Sequence, residues 1–534
     1  MSEEALTLLQ LSSSSHSQRP ICEYNDAPVG LVKKPSLTLA KKQWISVRTV
    51  PFSKIVNNQT STTKGRVDVA DNETMSEHAF SSLNLAKEVL ENLDSLGYHS
   101  MTAIQASSLP AILEGKDVLA QGQTGSGKTA AFALGLLSKL DTSLFKVQAL
   151  VLCPTRELSE QVAEEIRRVA RNTTNVKILS LCGGTSLRPQ AASLEHGAHI
   201  VVGTPGRIED HLTKKTLDLS QLNTLVLDEA DRMLDMGFQK TLDAIVDEIP
   251  GQRQTLLFSA TLPDPIKSIA KKIMRTPIVV EVAPTQDTVR VEQRFYLVEN
   301  EQHRMDALKL VLLDNPVPAS VVFCNTRQDT QKVAGALKSA GFSAASLHGD
   351  MEQVDRDQTL IRFSNNSISI LVATDVAARG LDIESLDLVI NFHLPRELDV
   401  YTHRIGRTAR AGAKGLACSL HNENERFRLD QLQSHLDMQI SASELPIKQL
   451  LSQAPPKSVM STLRIEGGKK QKLRPGDIVG ALTNGGELSA DDIGKIKVAN
   501  SWSYVAIKRE SAKLALNKLS SGKLKGRSFR SRLI

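Results

Sequence analysis

The chain has 534 residues, too many for one hydrophobic core, and its length suggests two to four domains. With 41% hydrophobic and 23% charged residues it reads as globular, and no run approaches the roughly 18 apolar residues of a membrane span. The net charge is +6, but residues 457–534 hold 17 Lys and Arg against 6 Asp and Glu, leaving the remainder at −5. A slightly acidic body with a strongly basic tail is the footprint of a polyanion-binding protein, nucleic acid above all.

Residues 1–74 are rich in Ser, Thr and Asn and show no sustained period of about 2 or 3.6, so a disordered extension is expected there. Two readings stay open for it: a flexible regulatory arm, or a start upstream of a true beginning at Met75. No basic, then apolar, leader opens the chain, which argues against secretion. Five scattered cysteines (Cys22, Cys153, Cys182, Cys324, Cys418) form no CxxC pair, which argues against a zinc site or a disulfide framework and fits a reducing cytoplasm.

From residue 117 short apolar runs alternate with amphipathic stretches. Strands are expected at 118–120, 149–152, 200–202, 224–227 and 255–258, in a first α/β domain spanning 75–284. Its first strand runs into GQTGSGKT, residues Gly122, Gln123, Thr124, Gly125, Ser126, Gly127, Lys128 and Thr129. Glycines there let backbone N–H groups close on phosphates, Lys128 reaches the β- and γ-phosphates of ATP, and the Thr129 hydroxyl can ligate Mg²⁺. The competing reading, a chance Gly-rich turn, does not account for the strand before and the helix after. Asp228 ends the strand LNTLVLD, where a magnesium-organising carboxylate belongs, and Glu229 follows to orient or deprotonate water. An acidic pair after a strand is common; paired with this loop it is specific.

Residues 283–289 read as a linker. The alternation restarts at 320–323, 344–347, 370–373, 388–391 and 416–420, giving a second α/β domain at 290–452. After 453–456 (QAPP) a basic module occupies 457–534. Strands are expected there at 478–479, 496–498, 504–507 and 529–533, with helices at 489–493 and 509–519, the β-α-β-β-α-β order of an RNA recognition motif.

With these motifs the chain resembles a DEAD-box RNA helicase across residues 80–412. The resemblance implies two tandem RecA-like domains of doubly wound parallel sheet, followed by the small α+β module. It implies that Phe80 packs on the adenine and Gln105 reads its edge, although the residues taken alone are better explained by a capped helix start at Thr102. Pro154, Thr155, Arg156, Gly184, Thr204, Gly206 and Arg207 would hold the RNA backbone, with Gln353, Arg356 and Thr374 from the second domain. Gly380 and Asp382 of TDVAARGLDI would approach the ribose. Arg407 and Arg410 of HRIGRTAR would reach the γ-phosphate, where a fixed cation stabilises developing charge. Ala409, where the family more often has Gly, and Thr102, where Pro is frequent, alter no implied ligand.

On this reading ATP and RNA both bridge the domains, favour one closed state and bind cooperatively. The C-terminal module resembles that of DbpA-type helicases, which implies binding to a hairpin of 23S ribosomal RNA in pre-50S particles. Lys469, Lys470, Lys472, Arg474, Tyr504, Lys523, Lys525 and Arg527 are its candidate contacts. A monomeric, cytoplasmic RNA-dependent ATPase follows, without membrane or DNA partners. The alternatives are a general RNA helicase without a particular rRNA target and an ATP-gated clamp or scaffold.

Overall fold

The computed structural model describes residues 45–48, 79–122, 125–282, 291–378, 386–408 and 415–534. Short apolar runs closed by polar turns make the first sheet: β1 (Ile45–Arg48), β2 (Val118–Gln121), β3 (Ala149–Leu152), β4 (Ile178–Leu181), β5 (Ile200–Gly203), β6 (Thr224–Leu227), β7 (Gln254–Ser259) and β8 (Ile278–Glu281). All pair in parallel, in the order β1-β8-β2-β7-β6-β3-β5-β4. A parallel sheet must be covered on both faces, which is why its strands are near-continuous apolar runs. Alternate residues feed two cores: Val151, Val202 and Val226 pack with Phe132 and Ile166, while Leu150, Val201 and Leu225 pack with Met233 and Ile245.

β1 lies inside the stretch 1–74, the rest of which lies outside the described residues. Four residues are too few to show a period, and the strand is defined by its partner, Ile278–Glu281. The 283–289 linker also lies outside the described residues.

The second sheet comprises β9 (Val291–Leu297), β10 (Ser320–Phe323), β11 (Ala344–Leu347), β12 (Ile370–Ala373), β13 (Leu388–Asn391) and β14 (Gly415–His421). It is parallel throughout, in the order β11-β12-β10-β13-β14-β9. In both sheets the motifs sit at the carboxyl ends of strands, where a doubly wound sheet opens its ligand crevice.

The third sheet is antiparallel, ordered β16-β17-β15-β18 from β15 (Met460–Ile465), β16 (Ile493–Val498), β17 (Ser503–Lys508) and β18 (Ser531–Leu533). The β-α-β-β-α-β order holds, but its first two elements move. Ile478 and Val479, expected as a strand, lie in the helix Pro475–Thr483, and the first strand is β15. Pro475 opens that helix with a preset φ, Asp477 accepts the Arg474 N–H, and Ile478 and Leu482, four apart, bury one face. The helix expected at 489–493 is only a 3₁₀ turn, Ala490–Asp492. Leu463, Ile465, Val505 and Ile507 face the helices, leaving Thr462, Arg464 and Tyr504 on the opposite face.

Candidate nucleotide and RNA sites

β2 delivers Gly122, whose N–H donates to Ser259 O at the end of β7, and the loop then enters the helix Lys128–Ser138. Gly125 and Gly127 hold φ of +87° and +91°, left-handed values that side chains resist. A Cβ at Gly127 would also lie 2.5 Å from Gln105 Nε2. Lys128 is buried, and its Nζ donates to Gly122 O at 2.8 Å. Gln123 and Thr124 lie outside the described residues.

Gln105 is 1% exposed and bridges two elements. Its Oε1 accepts from Thr102 N at 2.8 Å, capping the helix Ala103–Leu113, and its Nε2 donates to Gly127 O at 3.0 Å. The Thr102 hydroxyl donates to Ser126 O. The TAIQ segment therefore caps its own helix and also holds the phosphate loop. Phe80 lies in the core, 4% exposed and edge-on to Tyr98, rather than in the open.

The acidic quartet is almost wholly engaged by the protein. Burial pushes the Asp228 carboxyl up to about 6; Lys128 opposes that shift, and Glu229 and Asp231 add to it. Glu229 adopts a left-handed backbone, φ 52°, and its Oε2 receives Arg232 Nη1 at 2.8 Å within buried surroundings. Asp231 Oδ2 accepts from Ala260 N, Thr261 N and the Thr261 hydroxyl, while its Oδ1 accepts from Arg232 N. Asp231 thus ties the quartet to Ser259-Ala260-Thr261. The motifs alone assign a role to neither Asp231 nor Arg232, although both lie within or beside the quartet.

Among the described residues no three His, Cys, Asp or Glu cluster as a metal cage. A carboxylate raised chiefly by burial, and further by its acidic neighbours, still fits Mg²⁺, because a cation relieves that repulsion, and magnesium keeps several waters and phosphate oxygens as ligands.

The second domain brings Arg407 and His403 into a small cleft shared with Arg232 of the first. Arg404 lines the same cleft. It is 1% exposed, grips Asp375 through Nε and Nη2 at 2.6 and 2.8 Å, and donates to Asn391 Oδ1, His393 O and Asn325 Oδ1. It fastens its own helix to three segments of the second domain. Arg410, Gly380 and Asp382 lie outside the described residues.

Elsewhere between the first and second domains the expected RNA contacts meet each other. Arg156 Nη1 donates to Gln353 Oε1 at 2.5 Å, and Arg356 pairs with Glu157 while donating to Ala377 O. Thr155 caps the helix Arg156–Val169, and Pro154 precedes it. The Arg156 guanidinium lies across Gly184, where a Cβ would come within 1.6 Å of Nη1. Gly206, in the first turn of Pro205–Thr213, faces open space instead, and Thr204 is the cap of that helix. Thr374 is buried at the end of β12. Arg207 is turned inward, donating to Gln190 Oε1 and Thr185 O.

The basic module corrects one expectation. Tyr504 is 4% exposed, so it presents no ring for base stacking. The sheet face it belongs to meets the second domain: Thr462 Oγ1 bonds with Asn365 Nδ2 and Ser367 Oγ at 3.2 and 2.7 Å, and Arg464 reaches Gln358 while lying 3.6 Å over Trp502. Lys469, Lys470, Lys472, Arg474, Lys523, Lys525 and Arg527 are all exposed. Lys525 Nζ donates to Lys472 O at 2.8 Å, which joins the two basic turns into one patch.

Comparisons with known proteins agree with this architecture. Residues 102–269 match the DEAD/DEAH box helicase family, 303–412 the helicase conserved C-terminal domain, and 462–533 the DbpA RNA binding domain. The chain is 52% identical over 457 residues to the ATP-dependent RNA helicase DbpA of Escherichia coli, covering 85% of this chain and 99% of that one. It is 37% identical to the protein of that name from Bacillus subtilis, covering 84% and 98%. Among solved structures, S. cerevisiae Dbp5 bound to RNA and ADP BeF3 matches with a TM-score of 0.63 and 29% identity, over 71% of this chain and 100% of that one. Two parallel RecA-like sheets, a phosphate loop facing an acidic quartet and a basic third domain place the chain in the DEAD-box ATP-dependent RNA helicases of DbpA type, a family of RNA-stimulated ATPases.

Proposed function

We propose that this helicase remodels 23S ribosomal RNA during large-subunit assembly, acting as a monomer in the cytoplasm. The observation that carries the targeting is the joined basic patch of Lys469–Gln471, Lys472, Arg474 and 523–527 on a module docked against the second helicase domain. Such a patch would hold a structured RNA beside the cleft. Four buried cysteines in thiol form, and no helix among the described residues long and apolar enough to cross a membrane, are compatible with that location.

In the nucleotide site, the loop glycines and Lys128 bind and orient the ATP phosphates, and Gln105 keeps the loop in register. Asp228 and Thr129 would hold Mg²⁺, which when bound supplies charge neutralisation at the phosphates. Glu229, fixed by Arg232, orients the attacking water. Arg407 and Arg410 approach the γ-phosphate when the domains close, and a cation fixed there favours the transition state over the ground state. RNA backbone binds across Thr155, Arg156, Gly184, Thr204 and Gly206 on one wall and Gln353, Arg356 and Thr374 on the other. Arg156 and Arg356 must exchange Gln353 and Glu157 for phosphate, so RNA and the closed cleft are linked.

Two measurements test this. Glu229→Gln should retain ATP and RNA binding and lose about 10²–10⁴-fold in RNA-stimulated hydrolysis. Wild-type turnover should respond to a 23S fragment at lower concentration than to unrelated RNA, and not to DNA. Equal stimulation by every RNA would remove the 23S target and leave a general helicase.

A further inference from the structure

Gln190 sits in the helix Leu187–Glu195, between two of the loops expected to bind RNA, and no motif includes it. Its side-chain amide makes four hydrogen bonds. Nε2 donates to Cys182 O at 3.0 Å and to Thr185 Oγ1 at 3.3 Å, both flanking Gly183-Gly184 at the end of β4. Oε1 accepts from Arg207 Nη1 at 2.8 Å and lies 3.1 Å from His211 Nε2, which donates to it in the Nε2–H tautomer, both residues lying in the helix that follows β5. An amide offers two N–H donors and two lone pairs, so this one is saturated, and its orientation is fixed.

Arg207 is committed to the same cluster. Its side chain is 9% exposed, with Nη2 donating to Thr185 O at 3.0 Å and Nε beside Asp210 Oδ2 at 3.3 Å. Burial, then Arg207 itself, hold His211 below the usual histidine range, so the ring is neutral near pH 7 and Nε2–H can donate while Nδ1 meets the Thr216 hydroxyl. Arg207 therefore has little guanidinium left for a phosphate. Gly206, one residue earlier, faces open space at the helix start, where backbone N–H groups and the helix dipole favour an anion.

We infer that Gln190 is a positioning residue: it clasps the Gly183-Gly184 loop to Arg207 and so sets the spacing at which the two loops meet successive RNA phosphates. Arg207 is then a fastener rather than a phosphate ligand. This rests on the proposal that these loops hold RNA.

RNA titrations of ATPase activity in the full chain, at several salt concentrations, test it. Gln190→Ala should raise the half-saturating RNA concentration by about tenfold, since it strips a charged donor of its buried partner. Turnover at saturating RNA and the KM for ATP should stay within about twofold of wild type. Arg207→Gln should do the same, and the double variant should match either single one, as residues acting as a unit do. The salt slope should be unchanged in all three, whereas removal of a true phosphate ligand on a single strand would flatten it by about 0.7. A flattened slope in Arg207→Gln, additive losses, or a lower melting temperature in Gln190→Ala with no change in half-saturation would each overturn the inference. Gly206→Asp tests the underlying reading, because a carboxylate suits a helix start yet repels phosphate. If it folds stably and leaves the RNA requirement unmoved, these loops do not hold RNA, and the failure belongs to that reading.

Discussion

Around the acidic quartet the protein supplies nearly every polar partner itself: Asp231 accepts four hydrogen bonds, Glu229 is paired with Arg232, and Gln105 is held between Thr102 and Gly127. In the two basic turns of the C-terminal module the cations stand in solvent, with Lys525 tied back to Lys472 O and Asp477. The first arrangement fixes atoms in place before a substrate arrives, which chemistry at a phosphate requires. The second leaves charge free to settle on a polyanion in more than one register. Substitutions should therefore act on stability and turnover in one region and on affinity in the other, and each of the following experiments can break that division.

The largest stability effect should come from Asp231→Asn. Three donors converge on one carboxylate oxygen and a fourth on the other, and an amide can accept on one side only. Leaving buried donors unsatisfied costs about 1–3 kcal/mol for each group affected, so roughly 3 kcal/mol should appear in urea unfolding of the first domain. A variant as stable as wild type would show that the quartet is not tied to Ser259-Ala260-Thr261 in this way.

Asp228→Asn should act in the opposite direction. The folded carboxyl titrates at about 6 against an ordinary 3.8, chiefly from burial, so folding favours its protonated form. The resulting destabilisation is absent below pH 3.8, grows as pH rises through 6 and is complete by about pH 7. Nucleotide-free Asp228→Asn should thus be more stable than wild type by at most roughly 3 kcal/mol near neutral pH, with the gap closing as the solution is acidified. Added Mg²⁺ and ATP should stabilise wild type more than the variant, since only wild type has the carboxylate for the cation. An unchanged ranking with Mg²⁺–ATP would separate Asp228 from metal binding.

Legibility in the sequence follows the same division. The strand ends carrying Gly122, Asp228 and Thr374 are readable because buried parallel strands are continuous apolar runs, and a phosphate loop needs glycine at fixed places. β4 carries no such signal, because ILSL includes a serine and lies half-buried at the sheet edge, and β1 carries none because four residues define no period. The helix Pro475–Thr483 reads as a strand because Ile-Val favours one; its true signal is Pro475 followed by Asp477, with Ile478 and Leu482 four apart. Arg404 and Arg407 stand three apart in one motif, and both are buried and line the cleft, yet Arg404 grips Asp375 from within the helix Leu398–Ile405 whereas Arg407 lies beyond its end. Spacing within a motif does not show where its helix stops, nor which residue meets a carboxylate on a neighbouring segment. Tyr504 shows the same limit at domain scale: its strand falls at the expected place, whereas the docking of its sheet face on Asn365 and Ser367 is a tertiary fact.

The smallest effects should come from the basic patch, and they test the division most sharply. Lys472→Gln with Lys525→Gln removes two exposed cations, of which the Lys525 ammonium has an acidic neighbour, Asp477. An exposed ion pair of that kind contributes little to stability, so the melting temperature should hold. Affinity for a 23S hairpin should fall by several-fold at moderate salt, and the salt slope should flatten by about 0.7–0.9 for each phosphate no longer neutralised. Turnover at saturating RNA should be unchanged, because neither residue approaches the quartet or Arg407. Should turnover fall instead while the salt slope stays, the patch would be acting through the docked face at Thr462 and Asn365 on the helix that carries Gln353 and Arg356. The module would then govern closure of the cleft rather than delivery of RNA to it.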